Sequence, residues 1–189
     1  MKLISLIYLI LVAYEATAQG PVKNFSLTDV IHDTSVSLDQ FSSAPAVVVV
    51  FTSNACPYDL YYTDRLKELI TQYSGKVSFL LINAHLDPEE TPEEMKKTAS
   101  GWSHSVAYLS DKDQLAMDAL GAKRSPEAFL LLHAKGGFVI RYSGALDDSP
   151  QEAAGVSTRY LKDAIDNLLM GKPIENTAVR AAGCSIRKK

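Results

Sequence analysis

Cysteine is scarce in this chain: Cys56 and Cys184 are the only two among 189 residues. Two thiols alone cannot build a zinc site or an iron–sulfur cluster. His32, His85, His104 and His133 could complete a ligand set only if folding gathered them, and none stands at a metal-ligand spacing. Each reads as a surface or capping residue, so no metal and no other cofactor is expected. A charge excess is also missing. The formal net charge is −3 with the basic residues scattered, which argues against a nucleic-acid partner. The basic end, Arg187-Lys188-Lys189, reads as a solvated terminus. Long hydrophobic runs are absent too: the most apolar stretch, residues 3–13, is ended by Tyr14 and Glu15. It falls short of the roughly 20 residues that span a bilayer. Internal repeats and a dividing linker are lacking as well.

The first eighteen residues have the features of a secretory leader. Met1 and Lys2 give a positive start, an apolar stretch follows, and Ala16-Thr17-Ala18 supplies the small-x-small pattern of a cleavage site. Residues 1–18 are therefore expected to be removed, leaving residues 19–189 as one domain, secreted or periplasmic and without stable membrane insertion. No cysteine follows Ala18, so a lipid-modified N-terminus is not expected. In an oxidising compartment two cysteines are expected either to pair or to cycle between thiol and disulfide.

The mature chain alternates strand-like and helix-like segments. Residues 46–51 form a continuous β-branched run bounded by Pro45 and Asn54, which suits a strand buried on both faces. Helical spacing follows over 59–73, carried by Leu60, Leu66, Leu69 and Ile70, and then an apolar strand over 76–83. Thr91 and Pro92 read as the N-cap and first residue of another helix. A brief strand over 106–109 and a short helix over 112–120, closed by Gly121, come next. Strands at 127–133 and 138–142 make a hairpin, and residues 157–170 form an amphipathic helix stopped by Gly171. Edge strands are expected near 22–30 and 35–38, whereas 172–189 shows no periodicity. This order predicts an α/β fold, a central mixed sheet of four or five strands with helices on both faces.

Two segments could carry chemistry. Phe51-Thr52-Ser53-Asn54-Ala55-Cys56-Pro57-Tyr58 lies where the central strand hands over to a helix. A cysteine there faces unpaired amide donors and the positive end of the helix dipole, which favour thiolate. Ser53 is a possible N-cap able to bond the Cys56 amide, while Pro57 could instead open the helix with Cys56 as the cap. Arg124-Ser125-Pro126-Glu127 precedes a strand. A cis Pro126 there would lie against the cysteine and offer the Ser125 backbone for strand-like pairing with a substrate. An ordinary proline at a strand start is the plainer alternative.

These residues resemble the exported redoxins of the AhpC/TSA and thioredoxin-like group, whose usual motif is Phe-x-Cys-Asn-x-Cys-Pro after the first core strand. The likeness extends to Phe25-Ser26-Leu27-Thr28-Asp29, Ser125-Pro126-Glu127-Ala128-Phe129, the stretch Tyr142 to Asp148, and the tail Gly183-Cys184-Ser185-Ile186-Arg187. It implies a thioredoxin-like fold and a redox role, with Ser53, Ser125 and Pro126 beside the substrate. One departure stands out: the first motif cysteine is Ser53 here. A serine hydroxyl forms no disulfide, so exchange within one motif is impossible.

Three readings follow. Cys56 could attack an oxidised protein thiol partner, with Cys184 resolving the product. Ser53-Asn54-Ala55-Cys56 also resembles half of a peroxiredoxin motif, which implies a hydroperoxide substrate, though Val49 stands where that motif has proline and Arg124 is displaced from the usual arginine. In the third reading Cys56 and Cys184 form a permanent staple in a non-catalytic binding module. Other candidates rank lower: Asp147-Asp148 reads as a solvated pair, Glu127 as a salt-bridge or surface residue, and Tyr58, Tyr61 and Tyr62 as cover for the sheet.

Overall fold

The computed structural model describes residues 20–99, 101–102 and 106–189. The expected leader, residues 1–18, and His104 lie outside them. No helix among the described residues is long and apolar enough to cross a membrane.

The β-branched run becomes the strand β3 (Val47–Phe51), every residue of which is buried. It pairs in parallel with β4 (Ser78–Asn83) and antiparallel with β7 (Glu127–Ala134). The remaining strands are β1 (Ser26–Asp29), β2 (Thr34–Ser37), β5 (Ala107–Ser110), β6 (Arg124–Ser125), β8 (Gly137–Gly144), β9 (Ala178–Val179) and β10 (Cys184–Ser185). Eight of them form one mixed sheet in the order β2-β1-β5-β4-β3-β7-β8-β9, and β10 pairs separately with β6. The fold is thioredoxin-like, wider than the four or five strands expected from the sequence. The N-terminal hairpin extends one edge, and β9, only two residues long, extends the other.

Alternation along β3 divides the core in two, because successive side chains leave opposite faces of a strand. Val48 and Val50 pack with Tyr62, Leu66 and Ile70 of α1 (Pro57–Gln72), Met95 of α2 (Pro92–Ala99), and Leu161 and Ile165 of α4 (Tyr160–Leu169). Val47, Val49 and Phe51 pack instead with Ala116, Met117 and Leu120 of α3 (Leu115–Leu120). Helices therefore cover both faces, as the pattern of elements predicts.

The helix boundaries follow local chemistry. Pro57 opens α1 with Cys56 as its N-cap, the second of the two starts the sequence allows. Thr91 Oγ1 accepts the Glu94 amide at 3.3 Å, which fits its expected place at the start of α2. Gly121 and Gly171 end their helices at φ values of 72° and 66°, in the left-handed region that glycine enters without a Cβ penalty. Three readings need correction. Leu60 was expected on the apolar face of α1 and Tyr61 as cover for the sheet, and both are exposed on the side of the helix away from it; of Tyr58, Tyr61 and Tyr62, only Tyr62 packs inward. Asp147 is not solvated: it is buried, accepting Arg65 Nη1 at 2.6 Å and Tyr62 Oη at 2.8 Å, while its neighbour Asp148 is exposed.

Candidate active site

The carboxyl ends of β3 and β4 and the amino end of β7 all reach the same border of the sheet. Register explains this: Phe51 pairs with Ile82 on one side and with Glu127 on the other. The handover from β3 to α1 thus sits beside Pro126, whose peptide bond to Ser125 is cis.

Cys56 stands at that handover, buried at 3 % exposed, and is joined to Cys184 by a disulfide with Cα atoms 6.0 Å apart. Its Sγ lies 3.5 Å from the Ser125 carbonyl oxygen. As N-cap of a sixteen-residue helix it faces the donors and partial positive charge of the helix start, which stabilise a thiolate once the bond opens.

Ser53, in the position of the missing motif cysteine, is an internal brace. Its Oγ accepts the Cys56 amide at 2.9 Å and donates to Glu90 Oε1 at 2.5 Å. Glu90 closes a short 3-10 turn, Pro88–Glu90, and is almost fully buried. Its carboxylate also accepts the amides of Asn54 at 2.9 Å and Ala55 at 3.1 Å, and Asn83 Nδ2 at 2.6 Å. Burial alone would raise this carboxyl, but those donors together hold it below its ordinary range, so it is charged at neutral pH. The loop before Cys56 is therefore wrapped around a buried anion.

Asp59 follows Cys56 by three residues, on the same side of the first turn of α1. Burial raises its pKa to about 7, outweighing the hydroxyls of Thr52 and Ser125 and the Ser53 backbone, which favour the charged form; Glu90 adds to the rise. Its Oδ2 is buried without a hydrogen-bond partner. The site thus holds a carboxyl able to keep or release a proton near neutrality. His85, just past β4, is buried with Nε2 2.8 Å from Ser125 Oγ, and burial lowers its pKa. Lys112 Nζ fixes its backbone by donating to the His85 carbonyl at 2.7 Å.

The tail reaches the site as an added strand. In β10, Cys184 pairs with Ser125 and Ser185 with Arg124, antiparallel. Arg124 Nη1 donates to the Gly183 carbonyl at 2.9 Å, and the Ile186 amide donates to Lys123 O at 2.9 Å. A Cβ at Gly183 would come within 2.2 Å of the Ser125 carbonyl, so only glycine allows this approach. Gln114 holds the end through the Arg187 carbonyl and the Lys189 amide, both at 2.7 Å. Both cysteines line an open cleft of about 480 Å³ with His85, Asp87, Glu89 and Arg187 around them.

The site residues named from the sequence, Cys56, Cys184, Ser53, Ser125 and Pro126, are therefore brought together. Both serines are buried: Ser53 borders the cleft with its hydroxyl bonded to Glu90, and Ser125 lies beneath it against His85. His85 corrects its reading as a surface or capping residue. Glu127 is a local brace, accepting the Lys123 amide at 2.7 Å and the Arg124 amide at 3.0 Å. Two further contributors have no reading in the sequence: Asp59 and Glu90. Asp59 had a legible signal, an acid three residues after the cysteine at a helix start. Glu90 had none, because its stretch reads as solvated.

A family model described as Redoxin matches residues 17–158. No curated protein matches the chain in sequence. Among solved structures, a hypothetical protein of Sinorhizobium meliloti is 29% identical with a TM-score of 0.81, over 92% of this chain and 95% of that one. An uncharacterized conserved protein of Geobacillus kaustophilus is 32% identical with a TM-score of 0.81, over 91% and 92%. A putative thioredoxin of Neisseria meningitidis shares the fold at 19% identity and a TM-score of 0.59, over 79% and 89%.

Proposed function

The chain belongs to the Redoxin family, and on that footing we propose that it is a thiol–disulfide oxidoreductase acting on protein thiols or disulfides through the Cys56–Cys184 pair. The observation that carries this reading is the position of the disulfide: across a helix start, against a cis-proline loop, and lining an open cleft. A bond meant only as a staple has no need of a helix dipole beneath one sulfur or of a titratable acid behind it. Opening the bond leaves a thiolate at Cys56, and Asp59, protonated up to about pH 7, supplies a proton on that side. Closing the bond reverses the transfer.

The surroundings favour exchange over peroxide chemistry. A peroxidase needs a hydroxyl and a cation free to polarise the peroxide bond. The Ser53 hydroxyl is given to Glu90, and Arg124 donates to the Gly183 carbonyl. We place the protein outside the cytosol, secreted or periplasmic, on the leader-like residues 1–18 and on its reliance on a disulfide.

Turnover tests the function. Purified protein is mixed with dithiothreitol and insulin, and insulin reduction is followed by turbidity against the uncatalysed rate. Catalysed reduction that disappears in a C56S/C184S double variant is expected. A rate equal to the uncatalysed one, with the disulfide intact throughout, would leave the staple as the better reading.

A further inference from the structure

We propose that Cys184, and not the motif cysteine Cys56, is the sulfur that exchanges with the partner thiol. This assignment rests on the exchange activity proposed above. In an ordinary dithiol motif at a helix start the first cysteine meets the partner and the second lies beneath it. Here the first position is Ser53, buried and bonded to Glu90, and the retained Cys56 is the deep one. Cys184 comes in from the tail, on the strand that covers the Ser125 edge, and is only partly buried. The tail thus returns to the site the exposed sulfur that the motif has lost.

Access and leaving-group chemistry point the same way. Thiol attack requires a line of approach to the sulfur. Both cysteines border the cleft, but Cys56 is only 3 % exposed with its Sγ against the Ser125 carbonyl, whereas Cys184 is only partly buried on its two-residue strand. Exchange is also faster when the departing sulfur is the better-stabilised thiolate. Cys56 is that sulfur, because it caps the N-terminus of the sixteen-residue α1, whereas Cys184 lies on a two-residue strand.

The steps balance. A partner thiolate, R–S⁻, attacks Cys184 Sγ, forming an R–S–Sγ bond while the Cys184–Cys56 bond breaks and its electron pair goes to Cys56, which takes up a proton. A second thiolate attacks the R sulfur of the mixed disulfide, releasing R–S–S–R and the Cys184 thiolate. The protein gains two electrons and two thiols are oxidised to one disulfide. In the reverse direction Cys184 attacks the partner disulfide and Cys56 displaces it. Because β10 already pairs with Ser125, the partner reaches Cys184 through the cleft without adding a strand to β6.

Two measurements on the mature protein test this. Single-cysteine variants C56S and C184S are exposed to glutathione disulfide, and the adduct is followed by intact mass. Cys184 in C56S is expected to be modified faster than Cys56 in C184S, by about tenfold or more, because access to the sulfur and the higher nucleophilicity of a less stabilised thiolate both favour Cys184. Because C56S also frees the tail, the wild-type disulfide is opened with limiting glutathione, quenched with acid, alkylated and mapped. Glutathione on Cys184 with Cys56 alkylated is the expected result. Glutathione on Cys56, or equal rates in the two variants, would overturn the assignment while leaving the exchange activity standing. A native disulfide that excess dithiothreitol fails to open would overturn both.

Discussion

The two halves of the disulfide are held in different ways. Cys56 is fixed by regular elements, with β3 before it, α1 after it and the Glu90 carboxylate clasping the loop between. Cys184 is fixed by a strand of two residues and by side chains that reach the backbone around it, Arg124 on one side and Gln114 on the other. One sulfur therefore belongs to the rigid frame and the other to an attachment laid on its surface. That difference suits exchange, in which one sulfur stays as the internal partner and the other must meet a reactant from outside. It also makes the two halves differ in their response to substitution.

The largest expected effect is on the Cys56 side. Burial lifts the Asp59 carboxyl from its ordinary value of 3.8 to about 7 in the folded protein. Between roughly pH 4 and 7 the unfolded chain has lost the proton that the native state keeps. The unfolded state binds fewer protons there, so stability falls as pH rises through that window. Asp59→Asn should remove this slope. Chemical denaturation at pH 8 should find the variant more stable by on the order of 3 kcal/mol, with little difference at pH 4. A variant that is less stable at both pH values would show that Asp59 supports the frame rather than straining it.

Glu90 has the opposite sign. Its folded value lies below 4.5, so its contribution is complete above the ordinary carboxylate range and is lost as pH falls through the lowered folded value. Glu90→Gln gives up charge-assisted bonds to the loop amides and should cost about 2 kcal/mol at pH 7. The loss should shrink towards pH 3, and an unchanged urea midpoint at neutral pH would contradict the clasp.

The smallest effect belongs to the attached half. Gly183→Ala places a methyl against the Ser125 carbonyl, and the tail must move to accommodate it. Global stability of the reduced protein should fall by about 1 kcal/mol or less, since a tail can shift where a core cannot. Reoxidation should nevertheless slow clearly when followed by thiol alkylation. Wild-type reoxidation in this variant would mean that β10 does not deliver Cys184.

The same division explains what the sequence made legible. The β3 run, the Cys56-Pro57 start and the Ser125-Pro126 turn are local patterns, and each appears where its pattern places it. The tail carried no such pattern. Its strands are two residues long, and their partners are the backbones of β8 and β6, distant in sequence. Glu90 was hidden for a related reason: it meets Ser53 across 37 positions, and nothing in its acidic neighbourhood marks it as buried. Residues read as solvated by composition, Asp147 and His85 among them, were drawn inside by partners that only the fold supplies.

The reduction potential of the mature protein tests the central claim most directly, through differential alkylation and mass spectrometry across a series of thiol–disulfide buffers. The Cys56–Cys184 bond is expected to open within the range of exchange catalysts, roughly −120 to −270 mV. A bond that stays closed below about −300 mV would contradict it and identify the pair as a permanent structural link.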